Sequence, residues 1–529
     1  MSLTRKTKIE KILCEKPHLR EHLFTRGFLM TDGECDENGY PFYGKWVHHF
    51  QGGYHFYVHP KQRFYCIERD AAVFFLIGHA YNPFRMQICE RQILCDLADA
   101  AGDQRLSVVD ELTGVFTLGW VENRELTLIA DCASMQIAYY GLIGGHLYVS
   151  THMQLIGDLC GLETSQYVRR LTAYRFYRYY GAYLPGDISA YDEVKRIVPN
   201  MALHFSDGQF RMERFYPRRD LKPRKTEEEY AEGISVICDI MRRNMQLIAQ
   251  KWERPAISMS GGMDSKGSLA AANGNYDKFQ YFSYISMPGE LVDAEAAAKI
   301  CGAIGVPHRV DRISDNDGDF ADIEEFREIL EHNFGNIGAN NRNDVRKRVF
   351  YTSDAYCTFD IEAKSWVSEV GRANYYKKFG FQKMPARLTP RQMTTMYKLF
   401  VHDRKLVRDT DRIFAQYIQD TDFDSIFNYD ASDMYLWEMR YGGWGGQVIT
   451  CEHRFAFDIT VPYNNRILMD TFLSLPLDKR ITDQSHYDMI RRLNPVIDQT
   501  GITITNYNET RARMYKEKLY YLVNTHIPF

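Results

Sequence analysis

The stretch Pro255-Ala-Ile-Ser-Met-Ser-Gly-Gly-Met-Asp-Ser-Lys-Gly-Ser-Leu-Ala-Ala-Ala272 decides how the second half of this chain folds. Small and apolar residues precede the two glycines, as in a buried parallel strand, and a helix-forming run, Lys266 to Ala272, follows them. Gly261 and Gly262 therefore lie where a strand turns into a helix. The first N–H groups of a helix and the positive end of its dipole attract anions. Glycines let phosphate oxygens approach the backbone closely, so this stretch predicts a phosphate-binding loop.

The polar residues of Ser260–Ser265 refine that prediction. Ser260 and Ser265 add hydroxyl donors, whereas Asp264 would repel a bare phosphate unless Mg²⁺ lay between them. The pattern is not the Walker loop, because Lys266 follows the glycines too soon for G-x-x-x-x-G-K-[ST]. The alternative is a Ser/Gly turn without function. A six-residue match between a strand and a helix favours the functional interpretation.

Outward from this loop, strands and helices alternate. Apolar residues at helical spacing over Glu227–Trp252 predict the first helix. The predicted strands that follow are Pro255–Met259, Phe279–Ile285 and Val306–Ile313. Another helix, predicted over Asp293–Ala303, precedes the last of these strands. This β-α-β-α-β order predicts an α/β fold with a doubly wound parallel sheet. Ligands of such sheets lie at the carboxyl ends of the strands, where the Ser260 loop is. From about residue 380 the pattern is mainly helical.

The first half has a different pattern. Residues 40–215 are β-rich, with strand-like runs at Leu126–Ala130 and His146–Ser150. The polar stretch Tyr216–Lys225 contains two prolines and is typical of a linker. We therefore expect two domains, residues 1–215 and 226–529.

Composition excludes several classes of protein. The chain has 529 residues and a net charge of −4, without a long Lys/Arg block, which does not favour a nucleic acid partner. Its eleven cysteines show no C-x-x-C pair and are typical of reduced thiols in a cytoplasmic protein. The longest apolar stretch, Ala71–Ile77, is too short to cross a membrane, and no signal peptide is evident. We expect a soluble protein.

The Ser260–Ser265 motif resembles the S-G-G-x-D-S signature of the nucleotide alpha hydrolases, which split ATP into AMP and pyrophosphate. The order of the two halves resembles the asparagine synthetase family. That resemblance implies an α+β sandwich of the N-terminal-nucleophile (Ntn) glutaminase type, followed by an ATP pyrophosphatase domain with a helical C-terminal part. The supporting stretches are Ile77–Asn82, Leu112–Gly119, Leu128–Asp131, Ile137–Tyr140, Phe455–Asp458 and Val461–Asn464.

The first half departs from the family at two positions. The glutaminase uses an N-terminal cysteine whose own α-amine serves as base, whereas this chain starts Met1-Ser2-Leu3 and its nearest cysteine is Cys14. Ile77 replaces the asparagine that would stabilise the oxyanion. An altered start would explain Ser2 but not Ile77. We expect a degenerate domain without ammonia production, similar in this respect to the β-lactam synthetases and lasso-peptide cyclases.

The second half departs in its second phosphate and metal loop, which in the family reads serine-glycine-glutamate-glycine-x-aspartate-glutamate. The candidate here is Ser368–Asn374, after a strand-like run over Tyr356–Trp366, and alignment places Ala373 at the metal-binding aspartate. Glu369 could supply the carboxylate instead, and Arg372 could hold pyrophosphate. A surface ion pair between Glu369 and Arg372 is an equal alternative.

The resemblance implies ATP and Mg²⁺ and assigns roles to single residues. Ser260, Gly261, Gly262, Met263, Asp264 and Ser265 would hold pyrophosphate, with Asp264 and Glu369 as metal ligands. The backbones of Met259 and Ile285 would frame the adenosine, with Ser368 close to it. The β-lactam synthetases use a tyrosine–glutamate pair to deprotonate the amine, and Tyr375, Tyr376 and Glu438 are candidates for such a pair. Glu438 and Arg440 could instead be solvated charges of a helix.

The implied activity is that of an AMP-forming carbon–nitrogen ligase. A carboxylate of a small molecule, glycan or peptide attacks the α-phosphorus of ATP, and an amine or ammonia then displaces AMP. The acid, the nitrogen donor and the oligomeric state, including a homodimer, stay open. Thiolation uses the same ATP chemistry but needs a cysteine pair, and the sequence shows no such motif. The alternative that is not an enzyme is a catalytically weakened nucleotide-binding scaffold.

Overall fold

A computed structural model describes residues 2–177, 182–338, 342–398, 403–503 and 510–526. The strands are β1 (Phe28–Thr31), β2 (Val47–Gln51), β3 (Tyr54–Val58), β4 (Phe64–Arg69), β5 (Ala72–Tyr81), β6 (Thr113–Glu122), β7 (Glu125–Ala130), β8 (Tyr139–Ile143), β9 (His146–Ser150), β10 (Val194–Arg196), β11 (Met201–Ser206), β12 (Gln209–Arg214), β13 (Pro255–Ser258), β14 (Gln280–Ile285), β15 (Arg309–Arg312), β16 (Ile361–Ala363) and β17 (Asp458–Thr460).

The helices are α1 (Ser2–Glu15), α2 (Glu90–Asp99), α3 (Asp103–Glu111), α4 (Met153–Cys160), α5 (Gln166–Ala173), α6 (Glu227–Lys251), α7 (Met263–Ala271), α8 (Gly289–Ala303), α9 (Ile323–Asn333), α10 (Arg342–Phe350), α11 (Asn374–Phe379), α12 (Pro390–Met396), α13 (Arg404–Asp420), α14 (Ala431–Tyr435), α15 (Gly446–Cys451), α16 (Arg466–Ser474), α17 (Leu477–Ile481), α18 (Gln484–Leu493), α19 (Pro495–Gln499) and α20 (Arg511–His526). Leu436–Gly445 forms a π-helical segment, and short 3₁₀ turns include Ser368–Arg372.

Two antiparallel sheets of six strands form the first half, which we call the sandwich. Their orders are β10-β8-β9-β1-β3-β2 and β12-β11-β7-β6-β5-β4. Apolar side chains of both sheets, such as Phe56 and Leu128, meet in one buried core, because alternate residues of a strand face the same side. The predicted α+β sandwich is confirmed. Ile77 belongs to this core and is fully buried.

A parallel sheet with the order β15-β14-β13-β16-β17 forms the centre of the second half. The chain leaves β13 through α7 to β14 and through α8 to β15, and it later adds β16 on the other side of β13. The predicted doubly wound α/β fold is confirmed. The strand order reverses between β13 and β16, and such a switch point is where open α/β sheets bind ligands.

One predicted strand is much shorter than expected. Only Ile361–Ala363 of the run Tyr356–Trp366 is extended in the sheet. Its neighbours β13 and β17 are themselves four and three residues long, so backbone partners exist for only three residues. This difference changes which residues follow the strand.

Buried hydrogen bonds join the two halves. The side chain of Asn464 donates to Asp131 Oδ1 and to the carbonyl of Gly114, each at 2.7 Å. None of the eleven cysteines, all within the described ranges, forms a disulfide. Among the helices of the described residues, no helix has the length and apolar character needed to span a bilayer.

Candidate active site

The loop Ser260–Ser265, called the phosphate loop below, connects β13 to α7 as predicted. Its two serines stabilise the loop through hydrogen bonds. The Ser265 hydroxyl contacts the carbonyls of Ser260 and Gly262 at 3.0 and 3.1 Å. The Gly262 N–H donates to Ser260 Oγ at 3.1 Å. Gly262 has φ −67°, so no left-handed conformation explains the glycine. A Cβ there would lie 3.0 Å from Ser260 Oγ. The small residue thus permits a tight loop, which leads directly into the first turn of α7.

A cleft of about 420 Å³ lies at the carboxyl ends of β13, β14 and β16, which is the switch point of the sheet. It is lined by Ser258, Met259, Ser260, Gly262, Asp264, Ser265, Ser283, Tyr284, Glu290, Asp293, Ala294, Lys364, Ser365, Trp366, Glu369, Arg440, Tyr441 and Trp444. Phosphate loop, strand ends and helix residues thus converge on one cleft, whose size suits a nucleotide together with a small substrate.

Four predicted binding residues lie beside this cleft rather than on its surface. Gly261 and Met263 belong to the phosphate loop but do not line the cleft, and Ser368 contacts Asp264 from behind. The carbonyl of Ile285 accepts the N–H of Ile313, and the lining residues of that strand are Ser283 and Tyr284. The framing of adenosine by the Ile285 backbone stays a prediction.

Asp264 and Glu369 both line the cleft, and they are close enough for the charge of Glu369 to act on Asp264. The Ser368 hydroxyl donates to Asp264 Oδ1 at 2.5 Å, and Arg372 Nη1 lies 3.4 Å from the same oxygen. Burial raises the pKa of Asp264, the charge of Arg372 lowers it, and the like charge of Glu369 raises it further. A quarter of the Asp264 side chain is still exposed, so an ion can reach it from the cleft.

These two carboxylates fit the ligand set that Mg²⁺ uses beside nucleotides. Mg²⁺ is usually held by one or two carboxylates, with water and phosphate oxygens completing the octahedron. The described residues contain no group of three or more His, Cys, Asp and Glu that could hold a metal by themselves. Two carboxylates that line one cleft suit a Mg²⁺ ion that arrives with the polyphosphate. Such an ion would favour the charged form of Asp264, whose pKa is raised first by burial and then by the charge of Glu369.

The loop after β16 brings Glu369, but not Ala373, onto the cleft. Strand β16 ends at Ala363, and Glu369 lines the cleft six residues later. Ala373 is fully buried and does not line the cleft. The role of Glu369 as a metal ligand stays a prediction.

The sequence left open a surface ion pair between Arg372 and Glu369, but Arg372 is paired with a different carboxylate. Its guanidinium pairs with both oxygens of Asp483, at 2.8 and 3.0 Å, and Lys377 contacts the same carboxylate at 2.6 Å. This pairing holds the Arg372 side chain next to Asp264. Contact of Arg372 with pyrophosphate stays a prediction.

The pair predicted from Tyr375 and Glu438 is contradicted by their positions. The Glu438 carboxylate is fully buried and binds both Nη atoms of Arg214, at 2.6 and 3.0 Å. Tyr375 packs among the rings of Phe379 and Tyr435, and burial raises its pKa. Neither side chain lines the cleft. The tyrosine that contacts a carboxylate there is Tyr441, whose hydroxyl donates to Glu369 Oε2 at 3.0 Å.

The π-helical segment Leu436–Gly445 supplies a part of the site that the sequence did not predict. It places Arg440, Tyr441 and Trp444 on the cleft. The indoles of Trp444 and Trp366 stack at 5.2 Å with an interplanar angle of 19°, and the Arg440 guanidinium lies 4.4 Å from the Trp444 ring. We call Trp366, Arg440, Tyr441 and Trp444 the aromatic wall. The glycines of this segment were the sequence signal that could have pointed to an irregular helix here. Single π-helical turns are frequent at functional sites.

Two further polar groups at the cleft were also missed. Asp293 of α8 accepts the Gly261 N–H at 3.1 Å, so a carboxylate occupies one of the backbone donors of the phosphate loop. Lys364 is largely buried next to Glu362, with Nζ 3.2 Å from Oε1, and its ammonium lies 5.3 Å from the Trp366 ring. Neither residue belongs to a recognisable motif, which is why only the fold brings them to the site.

No family model matches this chain, and no curated protein matches it. Solved structures with some similarity include glutamine phosphoribosylpyrophosphate amidotransferase from B. subtilis complexed with ADP and GMP, with 12% identity over 56% of this chain and 61% of that chain and a TM-score of 0.22. Another is glutamine-dependent NAD+ synthetase from Acinetobacter baumannii in complex with ADP, with 13% identity over 44% of this chain and 51% of that chain and a TM-score of 0.19. This chain thus spans less than two thirds of either protein. Likeness this low carries no argument about the function of this chain.

Proposed function

We propose that this protein is an ATP-dependent amide-forming synthetase that adenylates a carboxylate and passes the acyl group to an amine or ammonia. The observation that carries the proposal is the phosphate loop at the switch point of the sheet, with Asp264 and Glu369 lining the same cleft. Both carboxylates suit a divalent ion that accompanies a polyphosphate. Cytoplasmic location and a homodimer stay predictions.

In the first proposed step, an oxygen of the substrate carboxylate attacks the α-phosphorus of ATP. The bond from the α-phosphorus to the bridging oxygen breaks, and pyrophosphate leaves. The backbone N–H groups of the phosphate loop would bind the leaving group, with Arg372 next to it. Fixed donors aimed at developing charge are the largest contributors to such catalysis. Mg²⁺, when bound, would neutralise phosphate charge at Asp264 and Glu369.

In the second step, the nitrogen nucleophile attacks the acyl carbon, the bond to the AMP oxygen breaks, and a proton leaves the nitrogen. The aromatic wall and Lys364 line the cleft together with the phosphate loop. We assign the acid to the wall and Lys364, because they offer cations together with apolar ring surface. Holding the substrate carboxylate in line with the α-phosphorus would speed the first step mainly through proximity.

The products should be AMP and pyrophosphate rather than ADP and phosphate. The physical reason is that a loop that grips the leaving pyrophosphate favours attack at the α-phosphorus, and no Walker loop is present in the sequence. The protein is incubated with α-labelled ATP, Mg²⁺ and a pool of cell metabolites, and the nucleotides are separated. An AMP signal that requires the pool is expected. ADP as the main product would contradict the proposal, and the same reaction without the pool is the control.

The protein should not hydrolyse glutamine. Ile77 has no hydrogen-bond donor and is buried in the core of the sandwich. Burial raises the pKa of the thiols of Cys35 and Cys66 to about 11, which is the opposite of an activated nucleophile. Glutamate release should equal that of heat-inactivated protein, with and without ATP. Release at catalytic rates would show that the sandwich keeps a glutaminase.

A nucleotide-binding scaffold without turnover is the second candidate. Its support in the sequence was Ala373 at the metal position. Against it stand two carboxylates, Asp264 and Glu369, which line the same cleft and could hold Mg²⁺ without Ala373. ATP binding without turnover of any acid in the pool would favour the scaffold.

A further inference from the structure

A buried carboxylate joins the sandwich to the segment that carries the aromatic wall. Glu438 binds Arg214 of β12 through two hydrogen bonds, at 2.6 and 3.0 Å. Asn200, also of the sandwich, donates to Oε1 at 3.2 Å, and Tyr417 donates to Oε2 at 3.1 Å. Both charged side chains are almost completely excluded from water. Every oxygen of this carboxylate is therefore held by fixed donors.

The backbone of the same segment is also seated on the sandwich. Arg196 of β10 donates to the carbonyl of Glu438 at 3.0 Å, and the Trp437 indole N–H donates to the carbonyl of Cys132 at 2.8 Å. Directly after the segment, a Cβ on Gly446 would lie 2.1 Å from the Ser134 carbonyl oxygen. The close approach requires glycine there, and it fixes the end of the segment against the sandwich.

The other side of this segment forms the cleft. Arg440 and Tyr441 follow Glu438 within one turn, and Tyr441 contacts the carboxylate of Glu369. The guanidinium of Arg440 lies between the ring of Trp444, at 4.4 Å, and the ring of Tyr183, at 5.9 Å. Tyr183 precedes β10 in the first half of the chain. Residues of the first half therefore reach the wall both through Glu438 and directly.

We infer that the sandwich serves as the platform that positions the aromatic wall, and that Arg214 and Glu438 are its positioning residues. This goes beyond the proposed reaction, because it gives the first half a role that requires no glutaminase. A buried ion pair holds its geometry strongly, since removing one partner leaves an uncompensated charge that must move toward water. If Arg214 is removed, the Glu438 carboxylate pulls the π-helical segment away from the cleft. Tyr441 then loses its contact with Glu369.

The test compares Arg214→Met with two other variants. Hydrogen–deuterium exchange of the amides of 436–451 should rise at least about tenfold in Arg214→Met. Mg²⁺-dependent binding of α,β-methylene-ATP should weaken about tenfold through Glu369. In Arg214→Met/Glu438→Met the unpaired charge is gone, so both quantities should return toward those of the unchanged protein. Arg105→Met, which removes another buried arginine of the first half, one that donates to Leu97, Ala100 and Glu122, is the matched control.

The outcomes separate this inference from the proposed function. If the unchanged protein does not bind α,β-methylene-ATP, the proposed function fails, while the exchange measurement still tests the platform. If Arg214→Met leaves the exchange of 436–451 unchanged, or raises it no more than Arg105→Met does, the inference is overturned. Should Arg214→Met not fold, Glu438→Gln keeps the shape and removes the charge. It is expected to raise exchange in 436–451 above that of Arg105→Met, and equal exchange would overturn the inference.

Discussion

Replacing Asp264 with alanine is expected to lower ATP-dependent AMP formation about a hundredfold or more. The carboxylate is the proposed Mg²⁺ ligand of the phosphate loop, and burial, which raises its pKa, disfavours its charged form when no metal is bound. The fold should survive, because Arg372 keeps its two hydrogen bonds to Asp483. AMP release with an acid found in the metabolite pool measures the effect, and circular dichroism checks the fold.

Asp239→Ala provides the matched control for this variant. Asp239 is an exposed aspartate of α6 whose partner is Arg242, one turn away on the same helix. Its removal should leave AMP release unchanged within about twofold, since exposed pairs contribute little. Near-normal turnover in Asp264→Ala would show that this carboxylate binds no metal, and the assignment of the phosphate loop would need revision.

Replacing Glu369 with glutamine is expected to produce a loss of similar size, about a hundredfold in AMP release. Glutamine keeps nearly the same shape, and its carbonyl can still accept the hydrogen bond from Tyr441. The variant therefore removes the charge while it preserves the packing. The Mg²⁺ concentration needed for half-maximal binding of α,β-methylene-ATP should rise, which a purely structural role would not change.

The control for the second variant is Glu295→Gln, because Glu295 is an exposed glutamate of α8. It should leave both AMP release and the Mg²⁺ requirement unchanged. An unchanged Mg²⁺ requirement in Glu369→Gln would contradict the proposal that Glu369 is a Mg²⁺ ligand.

Local sequence determined the parts of the site that are contiguous in the chain. Two glycines between an apolar strand and a helix-forming run predicted the phosphate loop and its place at the carboxyl edge of a parallel sheet, and the structure has β13, the loop and α7 in that order. The sequence also placed β9 at its observed bounds, because alternating apolar residues between turns determine a strand locally. The sequence also identified Asp264, because this residue lies inside the motif.

The remaining site residues depended on tertiary structure. Glu369 was named as a candidate, and only the packing of its loop brings it onto the cleft beside Tyr441. Glu438 is buried against Arg214 whereas Arg440 lines the cleft, because their directions depend on a π-helical segment seated on the sandwich.

The sequence by itself thus determined the fold class and the strand–loop–helix order around Ser260–Ser265. Only the tertiary structure decided which side chains share the cleft. Asp293 reaches Gly261 from the next helix, and Trp366 meets Trp444 across almost eighty residues of chain. The physical reason is that the local backbone holds the residues of a motif together. Contacts between distant segments depend instead on how sheets and helices pack.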